Sequence, residues 1–176
     1  LCLATVFAGL AAGSALAAEG KLNFIGKVVN ASCKLEGVSD SGVIGVSMGA
    51  IPLSRLKNSQ SGTGPAVGID IKDCEKGTYY IVVDGPSPAG TPENRVLALD
   101  GSGKPASNVG ILLTDRTGTP LSLDERLDPQ HDPRIEISVD GGSGTFRLNA
   151  FYYTWDKAHA DPGDGNATAR FTIMQE

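Results

Sequence analysis

The chain has 176 residues, 40% of them hydrophobic and 20% charged, with a formal net charge of −5 and no cluster of Lys or Arg. That acidic balance argues against a nucleic-acid partner, and the length suits one domain with a single core. With two His and three Cys in the whole sequence, there is little from which to build a His-rich metal centre.

Residues 1–17, LCLATVFAGLAAGSALA, carry no charge and end in Ala15-Leu16-Ala17, the small-x-small pattern that fits a signal peptidase. They are read as the remaining part of a secretory signal cleaved before Ala18. A membrane anchor would need about 20 apolar residues, and Glu19 and Lys21 interrupt any such run. Cys2 would leave with the signal, so Cys33 and Cys74 remain as a pair in an oxidising compartment. Joined, they would close a loop of about 42 residues and stabilise the chain by roughly 4 kcal/mol; the alternative is two separate buried thiols.

The segment GKLNFIGKVVNASC, residues 20–33, places Leu22, Phe24 and Val28 on alternate positions with Gly26 between them. That is the period of a strand with one face to bury, yet no tight turn folds it back on a neighbour. It is either the first strand of its own sheet or a strand offered to another molecule. Further strands are predicted at 43–48, 67–71, 79–83, 95–99, 109–114, 135–139, 145–153 and 167–174, separated by clusters of Gly, Pro, Ser and Asp. No stretch sustains a helical period for more than about two turns. Short strands at this spacing predict an all-β, antiparallel sandwich of immunoglobulin type.

Catalytic signals are weak. His131 and His159 lie in polar loops, and Gly101-Ser102-Gly103-Lys104 is followed by Pro105 where a phosphate loop needs Ser or Thr and a helix. No Ser sits in a Gly-x-Ser-x-Gly elbow, and Asp124, Glu125 and Asp128 lack the frame of a calcium loop. Catalytic, cofactor and metal residues are therefore expected to be absent. In RLNAFYYTW, Phe146, Leu148, Ala150 and Tyr152 share one face of a strand while Phe151, Tyr153 and Trp155 share the other. The second face is either covered within the fold or a contact surface.

Taken in order, several segments resemble the fimbrial (pilus) subunits of the chaperone-usher pathway, in particular type 1-like pilins. They are Phe24-x-Gly26-x-Val28 ahead of Cys33, Val67-x-Ile69-x-Ile71-x-x-Cys74, Leu97-Ala98-Leu99, VGILLTDRTGTPLSL at 109–123, Phe146-x-Leu148-x-Ala150-x-Tyr152, and GNATARFTI near the end. The family also has a Gly fourteenth from the C-terminus, matched by Gly163, and a penultimate aromatic, where this chain has Gln175.

The resemblance implies an incomplete immunoglobulin-like sandwich lacking its final strand, completed by a donor strand from a chaperone or a neighbouring subunit. It implies a donor extension at 18–28 contributing Leu22, Phe24, Gly26 and Val28, and a pilin domain at 29–176. The acceptor groove and chaperone-contact strand would carry Gly163, Ala169, Phe171, Ile173 and Gln175. Eleven extended residues span about 36 Å, and burying the three large donor side chains would contribute on the order of 5 to 9 kcal/mol. The implied partners are a periplasmic pilus chaperone, an outer-membrane usher and neighbouring pilin subunits. The implied product is a non-enzymatic, adhesive structural subunit, exported through the periplasm to a surface fimbria. The alternative is a minor tip or adaptor subunit, with Phe151 and Tyr153 binding a host glycan.

Overall fold

Two long antiparallel strands organise the molecule, β2 over Ala66–Asp84 and β5 over Ile135–Thr154. In the computed structural model the residues described are 33–36, 43–59, 64–91, 94–100, 103–123 and 134–176. The signal segment 1–17, the extension 18–28, His131 and the acidic run at 124–128 lie outside them.

The ladder between β2 and β5 runs from Ala66 opposite Asn149 to Ile81 opposite Ile135, with a register shift between Ile71 and Cys74. At that shift Asp73 adopts φ 55°, and Gly141 and Gly142 on β5 adopt φ 90° and 98°. A bulge adds one residue to one side of a ladder and sharpens the local bend. Here the bend is large: a Cβ on Gly144 would lie 2.8 Å from Ile137 Cδ1 and 3.0 Å from Val139 Cγ2, side chains from earlier in the same strand. The pair thus turns a corner and folds its apolar face inward.

The remaining strands attach along this pair. On the edge of β2 away from β5, β1 (Lys34–Glu36) pairs at 70–72 and β6 (Arg170–Gln175) pairs at 79–84. β4 (Val109–Thr114) pairs with the end of β5, and β3 (Val96–Ala98) closes that side by pairing with β4. Every named pairing is antiparallel. The helix α1 (Leu53–Ser59) begins after Pro52 and inserts Leu56 into the core.

The core joins both halves of the long pair. Ile69, Ile71, Tyr79, Ile81 and Val83 from β2 meet Phe146, Leu148, Ala150 and Tyr152 from β5, with Phe146 and Ile71 fully buried. The inward face predicted for β5 is the buried one. Cys33 and Cys74 form a disulfide, Cα atoms 4.3 Å apart, that fastens the chain ahead of β1 to the bulge of β2.

Three sequence expectations change. The runs at 67–71 and 79–83 belong to one strand, and so do those at 135–139 and 145–153, because each corner bends the ladder without ending it. The segment 43–48, predicted as a strand, forms no strand with the described residues. Ile44 and Met48 do pack against the core, but Val46 between them is 40% exposed, so the alternation does not turn one apolar face inward.

Candidate functional site

The sequence Arg170-Phe171-Thr172-Ile173-Met174-Gln175 alternates polar or exposed positions with core-facing ones. Against β2, Phe171 stands opposite Val83, Ile173 opposite Ile81, and Gln175 opposite Tyr79. Those three β2 residues are only 5%, 2% and 3% exposed, whereas Phe171, Ile173 and Gln175 are half-buried. Their relative burial differs because β2 is flanked on both edges and β6 is not: among the described residues, β6 has β2 as its only neighbour. An edge strand leaves alternate backbone N–H and C=O groups without a ladder partner. Ala167 and Ala169, just before it, also pack partly buried against the core. Among the described residues the site is therefore a strand edge without a second partner, beside an apolar face that is covered only in part.

Both ends of this strand are held. Upstream, Asp164 N–H donates to the Lys104 carbonyl at 2.8 Å, Ala106 N–H donates to the Asp164 carbonyl at 3.0 Å, and Asp100 N–H donates to the Asn166 carbonyl at 2.9 Å. Gly163 belongs to this junction and stands outside β6. A Cβ there would come within 2.4 Å of the Lys104 carbonyl oxygen, so the close approach of the two backbones requires Gly. At the C-terminus, Glu176 N–H donates to the Thr78 carbonyl at 3.0 Å, and the Glu176 carboxylate lies 3.3 Å from the Arg134 guanidinium. Arg134 also pairs with Glu136 and lies over the Tyr80 ring, 4.3 Å from its centroid. Burial pulls the guanidinium pKa down, but the bonds and charges of Glu136 and Glu176 outweigh it and hold the group above its ordinary range. The sequence offered no local signal for this cluster, because its members sit on three different strand ends.

Gln175 sits at the inner end of the open edge. Its Nε2 lies over Gly77, 2.7 Å from where a Cβ would be, and its Oε1 is buried with no hydrogen-bond partner.

Elsewhere the chemistry is sparse. His159 is exposed, with Nδ1 2.8 Å from Asp156 Oδ2. That bond holds the Asp156 carboxyl below its ordinary range. Among the described residues no three His, Cys, Asp or Glu side chains converge as a metal site. Phe151 and Tyr153 are half-buried opposite Leu112 and Gly110 of β4. The donor residues Leu22, Phe24, Gly26 and Val28 lie outside the described residues.

A family model described as "Fimbrial protein" matches residues 22–174. The chain belongs to the fimbrial protein family. A Serratia marcescens type-1 fimbrial protein subunit is 32% identical to it, with 98% of this chain and 96% of that relative aligned. Among solved structures, a subunit of a chaperone-usher pilus superposes with a TM-score of 0.62 at 17% identity, over 90% of this chain and 96% of that one. The P pilus rod subunit PapA superposes with a TM-score of 0.60 at 17% identity, over 83% and 100% of the two chains. The fold is thus the incomplete immunoglobulin-like sandwich of the chaperone-usher pilins. This fimbrial protein is a structural subunit of a surface fimbria, where it assembles with other pilin subunits, and it is not an enzyme.

Proposed function

We propose that β6 is an acceptor edge and that the subunit polymerises by donor-strand exchange. In this reading residues 29–176 form the pilin domain, and residues 18–28 of a neighbouring subunit lie along β6. A periplasmic chaperone fills the same edge during transit through the periplasm, before an outer-membrane usher passes the subunit into the fibre. The observation that carries the reading is the contrast in burial within one ladder. Phe171 and Ile173 face the core half-buried, although their β2 partners Val83 and Ile81 are almost wholly buried. An added extended strand would supply the missing backbone partners of β6 and cover those two side chains in one step. Leu22, Phe24 and Val28 have the alternation that such a strand needs, and Gly26 suits a point of close approach.

The test uses the full chain with and without a peptide of residues 18–28. The peptide is expected to suppress aggregation, raise the melting temperature and protect the β6 amides from hydrogen exchange. In assembly, a chain lacking residues 18–26 is expected to bind its chaperone and accept a donor strand, but not to act as a donor itself. Incorporation of that truncated chain throughout the fibre would falsify the donor assignment.

A further inference from the structure

β3 is an end strand like β6, yet it is closed. Its one ladder neighbour among the described residues is β4, and still Val96 and Leu97 are only 1% and 4% exposed. A strand with a single neighbour ordinarily keeps a row of N–H and C=O groups with which another chain can pair. Along 94–100 that row is engaged at every second residue. The Asn94 carbonyl accepts from Leu123 N–H at 2.8 Å, the Val96 carbonyl accepts from the Ser87 hydroxyl at 2.7 Å, Ala98 N–H donates to the Pro86 carbonyl at 2.7 Å, and Asp100 N–H donates to the Asn166 carbonyl at 2.9 Å. Alternate residues of an antiparallel strand turn their backbone groups to the same side, here the side away from β4.

The contacts to Val96 and Ala98 come from residues 85–91, which leave the end of β2. Gly85 lies so close to β3 that a Cβ there would stand 2.4 Å from Leu97 Cδ1. Pro86 and Pro88 have no N–H, and the carbonyls of both are taken: that of Pro86 by Ala98, and that of Pro88 by Thr91 N–H at 3.4 Å and the Thr91 hydroxyl at 2.7 Å. The segment therefore covers the edge of β3 without setting out a new one, because a ladder cannot be extended on prolines whose acceptors are occupied. At the other end of the sheet, β1 has three residues, and its exposed Lys34 and Glu36 pair with Asp73 and Lys72 at 3.0 and 3.6 Å. A short, charged edge discourages pairing as well.

We propose that residues 85–91 are an edge seal: bound along β3, they bar strand addition there and direct it to β6. The exclusion at β3 stands on its own geometry, and its consequence for assembly rests on the acceptor reading of β6. A subunit with one receptive edge takes one donor strand, so the fibre grows as a single unbranched chain. A second receptive edge would let subunits pair side by side.

The experiment uses the full chain saturated with the 18–28 peptide, which removes β6 from competition. Pro86→Gly, Ser87→Gly and Pro88→Gly together free the segment, whereas Ser87→Ala takes away only the bond to the Val96 carbonyl. The unaltered chain is expected to carry one peptide in native mass spectrometry and to sediment as a monomer. The triple variant should take up a second peptide or dimerise. Ser87→Ala, a milder change, should speed hydrogen exchange of the Ala98 amide about fivefold and leave the β5 amides unchanged. Unaltered Ala98 exchange in Ser87→Ala, a folded triple variant that stays monomeric with one peptide, or a second peptide on the unaltered chain overturns the seal. If the unaltered chain binds no peptide, the acceptor reading of β6 falls, and the seal is judged by Ala98 exchange in Ser87→Ala alone.

Discussion

β4 and β6 are each six residues long, and each pairs with one of the two long strands, yet they end in opposite states. β4 lies between β3 and β5 and buries Val109, Gly110, Ile111, Leu113 and Thr114. Among the described residues β6 lies beside β2 alone, and it buries none of its six residues fully; Met174, on its outer face, is 44% exposed. Composition does not account for this, since Phe171 and Ile173 are as apolar as Ile111 and Leu113. The number of neighbours does. A strand's burial is set by what lies on either side of it, and the half-covered side chains of β6 are the ones that the proposed donor strand would cover.

The largest perturbation that would test this contrast is removal of the disulfide. Cys33–Cys74 fastens the chain to β2 on the edge that β6 also uses, far from β3 and β4. Cys33→Ser is expected to cost about 4 kcal/mol in chemical denaturation of the peptide-complemented chain. Hydrogen exchange should then show β1 and β6 losing protection before β4. If β4 amides opened together with those of β6, the two regions would be one cooperative unit and the contrast would carry no energetic meaning.

A matched pair of truncations sharpens the same point at smaller cost. Leu113→Ala in β4 removes a side chain that is 8% exposed and should cost about 3 kcal/mol, with or without added peptide. Ile173→Ala in β6 should cost about 1 kcal/mol in the free chain, because half of that burial is missing. The remainder, about 1–2 kcal/mol, should appear as weaker peptide binding in titration calorimetry. Equal costs in the free chain would mean that β6 is already covered.

The sequence made some of these elements plain and hid others for physical reasons. β4 falls where 109–114 was expected, because an apolar run closed by Asp115-Arg116-Thr117-Gly118 has few other ways to fold. The alternation in β6 and the inward face of β5 were equally legible. The corners were not: Lys72-Asp73 and Asp140-Gly141-Gly142-Ser143 have the composition of turns that end strands, but here they bend a ladder that continues. Gln175 could be seen to depart from an aromatic, yet the seating of its amide over Gly77 depends on the pairing of β6 with β2, which no local pattern encodes. Nor could Arg134 and Glu176 be paired from sequence, because they are 42 residues apart and meet only once β5 and β6 have paired with the two edges of β2.

The two strands also differ in how their ends are secured, which makes a third and smaller prediction. β4 ends in a turn closed by its own side chain: Asp115 Oδ1 accepts from Thr117 N–H at 2.8 Å, Thr117 Oγ1 at 2.7 Å and Thr119 N–H at 2.8 Å. Partial burial pushes the Asp115 carboxyl up, but the bonds from Thr117, Thr119 and Gly118 outweigh it and hold the pKa below its ordinary 3.8. A depressed folded pKa contributes stability above the unfolded value, and that contribution fades as pH falls through the folded one. Asp115→Ala should therefore cost about 1 kcal/mol at neutral pH, and its deficit should shrink as pH drops below about 4, because the unaltered chain loses the same bonds. β6 ends instead on the ion pair between Arg134 and the exposed Glu176. Arg134→Gln removes the charge and with it the pairing to Glu176, so it should cost about 0.5 kcal/mol and, unlike Asp115→Ala, do so mainly at low salt. Melting curves across pH and salt separate the two. A pH-independent Asp115→Ala deficit would show that the turn is held by its backbone and not by the carboxylate.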